Sequence, residues 1–295
     1  MSSIRLMTLA DLEDVAELDA LAFQTERRTQ QHLKACLELN PRGCFVATLS
    51  DDSPIGYVFS RRWGALGWIG VGGVHPAHQR QGWGKALASQ AIQHLQASSC
   101  TTIGCSTQTA NNVGTWTSLG FAPGPPTLEM VKRVEAVQSP ARAMPLSQLD
   151  KDQALQAICQ ISHAVQPGLD YTVEVWNADA YGWGETLLFG WPSPWAFALL
   201  RTDPIRPGLA HTLRIAVLAM LHEARQRLPE VLSTIENLAG EKHDTQLDLF
   251  VDTSTPDALQ HALKYGFRVR SLWIRMALNQ APPPPSGVDL SLWAM

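Results

Sequence analysis

A strand that passes through a glycine-bearing turn into a helix constrains this chain more than any other stretch of its sequence. Trp68-Ile69-Gly70-Val71-Gly72-Gly73-Val74 is an apolar run with the character of a strand. After His75-Pro76-Ala77-His78-Gln79-Arg80-Gln81-Gly82, the residues Trp83, Leu87, Ala91 and Leu95 recur at the spacing of one helical face. Glycines in such a turn remove side chains where backbone would meet a ligand. The helix start adds open N–H groups and the positive end of a dipole, so the turn favours an anion, and phosphate is the natural guest. Two common phosphate loops fail here. A Walker loop, G-x-x-x-x-G-K-S/T, would need glycine at Gln79 and a hydroxyl residue at Ala86, and a dinucleotide fingerprint begun at Gly70-x-Gly72 reaches His75 where its third glycine belongs.

What remains, V-x-P-x-x-Q-x-x-G-x-G, resembles the signature of the GNAT N-acetyltransferase superfamily, R/Q-x-x-G-x-G/A, with Gln79, Gly82 and Gly84 at the defining positions. The resemblance implies acetyl-coenzyme A as cosubstrate and no metal. Its pyrophosphate would lie on Gln79, Arg80, Gln81, Gly82, Trp83, Gly84 and Lys85, with Val74, Asn112 and Trp116 along the rest of the cofactor.

The order of elements agrees. Residues 4–7 read as a strand, and Thr8 to Asp11 as a capping box before a helix buried through Leu12, Val15, Leu18 and Ala22. A second helix spans residues 29–39 and stops before Pro41. A hairpin joins residues 44–49 to 55–60, and after the glycine turn come a strand at 101–106, a helical segment ending in Leu119-Gly120-Phe121, and a strand at 127–131. This β-α-α-β-β-β-α-β-α-β order and the Leu-Gly-Phe ending extend the resemblance from residue 4 to 133.

The second half echoes the first. Arg5-Leu6-Met7 returns as Arg142-Ala143-Met144, Gly120-Phe121 as Gly266-Phe267, and Leu128 with Met130 as Ile274 with Met276. Such self-similarity indicates a duplicated unit. The expected fold class is therefore α/β (α+β): two tandem GNAT-like domains, each a mixed, mainly antiparallel twisted sheet flanked by helices. They should occupy residues 1–135 and 141–278, joined near 134–140 and followed by a Pro-rich tail, 279–295. In the second half the counterpart of the phosphate-loop strand, residues 212–217, runs straight on into residues 218–224 without glycine or Q-x-x-G-x-G. That half is not expected to hold coenzyme A in the family manner. Trp176, Trp183, Trp191 and Trp195 serve as packing or as an aromatic wall for an acceptor, and residues 288–293 as a docked edge strand or a loose tail.

Length suits about two domains, since 295 residues exceed one ordinary unit. The net charge of −4 gives no support for binding nucleic acid or an anionic membrane. Five cysteines without a C-x-x-C pair suit reduced thiols better than disulfides or zinc. No apolar signal core opens the chain, and no run approaches the ~18 residues of a membrane span. A soluble, cytoplasmic protein is expected, with a homodimer left open.

Acyl transfer to an amine requires a neutral nucleophile, although a lysine-like ammonium titrates near ~10.4. The site must accept a proton and stabilise an oxyanion. In the family a backbone N–H on the strand before the loop does the second task, here near Val74, and a tyrosine four residues before the Gly-Phe pair often protonates the thiolate. Trp116 occupies that tyrosine position, and its indole is not a usable acid. Thr109 stands where the family's asparagine is usual, with Asn111 and Asn112 close by. Candidate bases are His75, beside the strand, and Glu26 and His32, in the segment that lines the acceptor side; surface solvation is the plainer role for the last two. The expected function is N-acetyl transfer to a primary amine of a small molecule or peptide. The alternative is a non-catalytic acyl-coenzyme A sensor.

Overall fold

A computed structural model describes residues 3–135, 142–202, 205–209, 211–281 and 283–291. Most of the expected joint, with Gln138, Ser139 and Pro140, lies outside the described residues, as do Pro282 and Trp293. The first half runs β1 (Ser3–Leu6), α1 (Leu12–Phe23), α2 (Gln30–Leu39), β2 (Phe45–Thr48), β3 (Pro54–Trp63), β4 (Leu66–Val74), α3 (Trp83–Ala97), β5 (Thr102–Thr107), α4 (Ala110–Ser118) and β6 (Phe121–Arg133). The second repeats that order as β7 (Ala143–Pro145), α5 (Lys151–Val165), α6 (Thr172–Tyr181), β8 (Gly184–Phe189), β9 (Ala196–Arg201), β10 (Thr212–Met220), α7 (Leu228–Glu241), β11 (Gln246–Asp252), α8 (Pro256–Lys264) and β12 (Arg268–Leu278). It then adds β13 (Val288–Asp289).

Local chemistry sets the helix ends. Thr8 and Asp11 form the expected capping box, Thr29 accepts the N–H of His32 ahead of α2, and Asn40 closes α2 before Pro41. Two elements differ from expectation. β6 begins at Phe121, six residues early, because its prolines lie where only β12 pairs with it: Pro123 and Pro126 face Met276 and Ile274, and the ladder to β11 starts at Thr127. β10 runs on to Met220, and a 3-10 turn, His222–Arg227, intervenes before α7.

The sheet is mixed and mainly antiparallel, and it is one sheet. Its order is β1-β2-β3-β4-β5-β12-β6-β11-β10-β9-β8-β7, with β13 beside β10. Among the described residues only β4 with β5 and β10 with β11 run parallel. Read from either end, the order gives the same succession of equivalent strands, which is the duplication in structural form. The last strand of each half has crossed over. β12 pairs with β5 of the first half, and β6 with β11 of the second.

One face of the sheet carries α1 and α2 beside α5 and α6; the other carries α3, α4, α7 and α8. The cores follow the strand exchange. Met130 of β6 is buried in the second half's core with Leu232 and Phe267, and Met276 of β12 in the first half's core with Leu87 and Phe121. Trp63, Leu66 and Trp68 of the first half pack with Tyr171, Val175 and Phe197 of the second. The four clustered tryptophans do not form one wall. Trp183 is buried under Arg201, Trp195 packs on Phe189 on the opposite face, Trp191 is half-buried, and Trp176 is exposed beneath Lys151. Among the described residues no helix is long and apolar enough to cross a membrane.

Candidate functional site

β4 and β5 pair at Leu66–Ile69 against residues 102–105 and then part, although β4 continues to Val74 and β5 to Thr107. Beyond Ile69 the chain pairs only with β3, through Gly72, Gly73 and Val74 opposite Val58, Tyr57 and Gly56, after a bulge. Its other edge, toward β5, is a row of backbone groups in a wedge-shaped opening. The wedge leads to the glycine turn. Gln79 reaches back to donate its side-chain amide to the Val74 carbonyl at 3.0 Å, and Gln81 does the same to Ala77 at 3.3 Å, so the turn is tied to the strand that feeds it.

The first bond of α3 runs from the Ala86 N–H to the Gly82 carbonyl, which leaves the amides of Trp83, Gly84 and Lys85 facing out of the helix end. No acidic residue stands in the first turn to compete for them. Gly82 has φ +88°, and a Cβ there would meet nothing within 4 Å. Backbone torsion, not crowding, requires the glycine. Gln79, Arg80, Gln81, Gly82, Gly84 and Lys85 are exposed, and Trp83 is half-buried. The structure thus brings the predicted loop residues and Val74 together around one open helix end.

The acid and base candidates fare differently. The His75 ring accepts the Ala77 N–H through Nδ1 and packs against the His78 ring, so it closes the turn. Glu26 is exposed, and its main-chain carbonyl accepts a hydrogen bond from Arg206. His32 is not at the surface. With Thr29 as cap it falls on the inward side of α2, only 1% exposed, beside Cys36 and Arg28. Burial, then the neighbouring guanidinium groups of Arg28, Arg201, Arg61 and Arg214, hold its pKa well below the usual histidine value. It stays neutral at pH ~7.

A charged network on this face escaped the sequence reading. Asp19 of α1 is fully buried; it accepts the Tyr57 hydroxyl at 2.5 Å and Arg28 Nε at 3.1 Å, and it pairs with Arg206 at 2.9 Å. Burial and the adjacent Asp19 carboxylate push the Tyr57 hydroxyl well above its ordinary range, so it remains a donor. The Tyr57 ring lies directly beneath β4: a Cβ on Gly73 would stand 3.0 Å from its Cε1. Arg206 comes from the second half, and there the Ile205 carbonyl accepts the Thr29 N–H. The second half thereby walls the α1–α2 side of the wedge. A signal was present: Asp19 lies four residues after Val15 on the apolar stripe of α1, where a carboxylate needs partners.

Thr109 caps α4 by accepting the Asn112 N–H, and the Asn112 side chain is exposed. Trp116 is half-buried and meets Phe121 edge-to-face with ring centres 5.0 Å apart. In the second half Ala262 stands at the aligned position, and the Tyr265 hydroxyl is committed to Glu236 at 2.7 Å.

The profile of the Acetyltransferase (GNAT) family matches residues 9–121, which contain the wedge and the turn. Among curated proteins none matches the sequence. Solved structures resemble the whole chain in fold. A Pyrococcus horikoshii protein that carries an acetyltransferase name is 16% identical with TM-score 0.75, covering 99% of this chain and 95% of that one. A GCN5-related N-acetyltransferase from Sphaerobacter thermophilus is 13% identical with TM-score 0.67 over 100% and 98%. A tandem GNAT protein from the clavulanic acid biosynthesis pathway is 13% identical with TM-score 0.63 over 98% and 99%. Residues 9–121 thus belong to the GNAT acetyltransferase family, and the whole chain has the fold of solved tandem GNAT proteins, here with two like folds sharing one sheet.

Proposed function

We propose that this protein transfers an acetyl group from acetyl-coenzyme A to a primary amine of a small molecule or peptide, using the first half alone to hold the cofactor. One observation carries the reading: the wedge between β4 and β5 opens beside the exposed amides of α3. A pyrophosphate on the α3 end and an extended arm along the β4 edge would share one continuous line of backbone donors. The β4 amides beside the wedge are positioned to polarise a thioester carbonyl there. The Nδ1 of His75 accepts the Ala77 N–H and His32 is buried, which favours loss of the amine proton to water, to which Gly72 on the β4 edge is exposed, over transfer to either imidazole. Asp19, Tyr57, Arg28 and Arg206 shape the acceptor side and hold its charges in place.

Acetyl-coenzyme A titrated into the full chain should bind at one site per chain, and thiol release should be seen with some member of a panel of primary amines. Gly82→Trp should weaken binding by at least tenfold, about 1.4 kcal/mol, and abolish release. Trp116→Phe should keep both, because the indole serves as packing on Phe121. The absence of an acid at Trp116 favours a second reading, an acyl-coenzyme A sensor. Tight binding with no thiol release from any amine would select it.

A further inference from the structure

β10 and β11 part as β4 and β5 do. They pair at Thr212, Leu213 and Arg214 opposite Gln246, Leu247 and Asp248, and then diverge. This second opening is filled by the chain itself. Val288 and Asp289 lie antiparallel to Met220 and Ala219, the Leu290 N–H donates to the Leu218 carbonyl at 2.9 Å, and the Ser286 N–H donates to the Val165 carbonyl at 2.7 Å. β9 already occupies the other edge of β10, so the added strand lies on the β11 side.

Side chains alternate along the insert. Val288 and Leu290 enter the apolar core beside α7 and α8, with Leu290 0% exposed. The fully buried Asp289 faces the other way and accepts the Tyr171 hydroxyl at 3.2 Å, while Arg275 donates to the Ser291 carbonyl. Gly287 passes so close to β10 that a Cβ would stand 2.2 Å from the Met220 carbonyl oxygen. Backbone ladder, apolar sockets, a polar reader for one acidic side chain and a gate only glycine passes are four separate elements of recognition.

We propose that the opening between β10 and β11 is a peptide-strand binding site whose ligand is the chain's own segment 286–291, an extended strand of glycine followed by alternating apolar and hydrogen-bonding residues. The ligand is tethered, so its effective concentration keeps the site filled. This assignment is independent of the reading of the first half. It gives a physical basis to the expectation that the second half does not hold coenzyme A, since the edge that would face an arm is already paired.

In the full chain the Leu290 and Ser286 amides, which bond the Leu218 and Val165 carbonyls, should be protected from hydrogen exchange, and Gly287→Val should reduce that protection at least tenfold while residues 66–105 keep theirs. A chain ending at Pro285 should bind the synthetic hexapeptide Ser-Gly-Val-Asp-Leu-Ser one to one, and at least tenfold more weakly when its glycine is replaced by valine or its aspartate by lysine. Unchanged protection in Gly287→Val overturns the proposal, and this holds even if the shortened chain fails to fold. So does equal binding of all three peptides, or a second equivalent of acetyl-coenzyme A taken up by the shortened chain in preference to peptide.

Discussion

The Thr29 side chain, by accepting the His32 N–H, decides which way one imidazole faces, and that choice has a titration attached to it. His32 is buried against Arg28, with the charges of Arg201, Arg61 and Arg214 acting on it as well, and cannot take a proton without adding a buried cation to theirs. Its folded pKa lies well below 6.5, while the unfolded chain's histidine titrates near that value. Between the two the unfolded state binds more protons, so stability is complete above ~6.5 and is lost as pH falls, by about 1.4 kcal/mol per pH unit. His32→Gln removes this contribution, and its melting temperature should fall less than the wild type's between about pH 6.5 and pH 5. Identical slopes would mean that His32 does not titrate across folding. The sequence showed Gln79, Gly82 and Gly84 plainly, because a turn torsion and an open helix end are local requirements. It did not show the burial of His32 or the partners of Asp19, since Arg206 arrives from a segment far along the chain and no local pattern announces it.

β6 shows how an element can be legible in type and hidden in partnership. Its prolines mask its first residues, and its neighbours, β11 and β12, both belong to the other half. Strand pairing depends on distant segments, so periodicity predicts that a strand exists and says little about its neighbours. The echo of Met130 in Met276 was readable; that each methionine serves the opposite half's core was not. β6 is also fastened to α7. Lys132, 8% exposed in its side chain, pairs with the fully buried Glu236, which also accepts the Glu135 N–H and the Tyr265 hydroxyl. Glu236→Ala leaves the Lys132 ammonium with only the exposed Glu135 carboxylate at 3.6 Å and the Arg133 carbonyl at 3.2 Å as polar partners among the described residues, and should destabilise the protein by about 3 kcal/mol in urea unfolding. Adding Lys132→Met should restore part of that loss, because the buried charge is then gone while the Glu135 N–H and the Tyr265 hydroxyl still lack their acceptor. If the double variant is as unstable as the single one, the pair is not the fastening.

At the scale of the molecule, the exchange of last strands makes the two halves one folding unit despite their repeated order. Cut at the joint, the first half would keep β6 but lose the strand that separates it from β5. Residues 104–107 of β5 would face water where residues 274–277 of β12 now pair with them. The second half would lose β6 from between β11 and β12, leaving residues 246–252 unpaired on that side. Each piece would present an open edge of central strand and a core missing its methionine, a condition that drives aggregation. A helix-period or strand-period reading sees two complete domains here, because each half holds a full set of elements; only the pairing shows that neither set closes on itself. Expressed separately, residues 1–135 and 141–295 should be insoluble or melt far below the intact chain. Co-expressed, they should form a one-to-one complex with the acetyl-coenzyme A binding proposed for the whole protein, since the wedge beside α3 needs β5 held in place by β12. A soluble, cooperatively melting first half that binds the cofactor unaided would show that the crossed strands are dispensable and that the lobes fold independently.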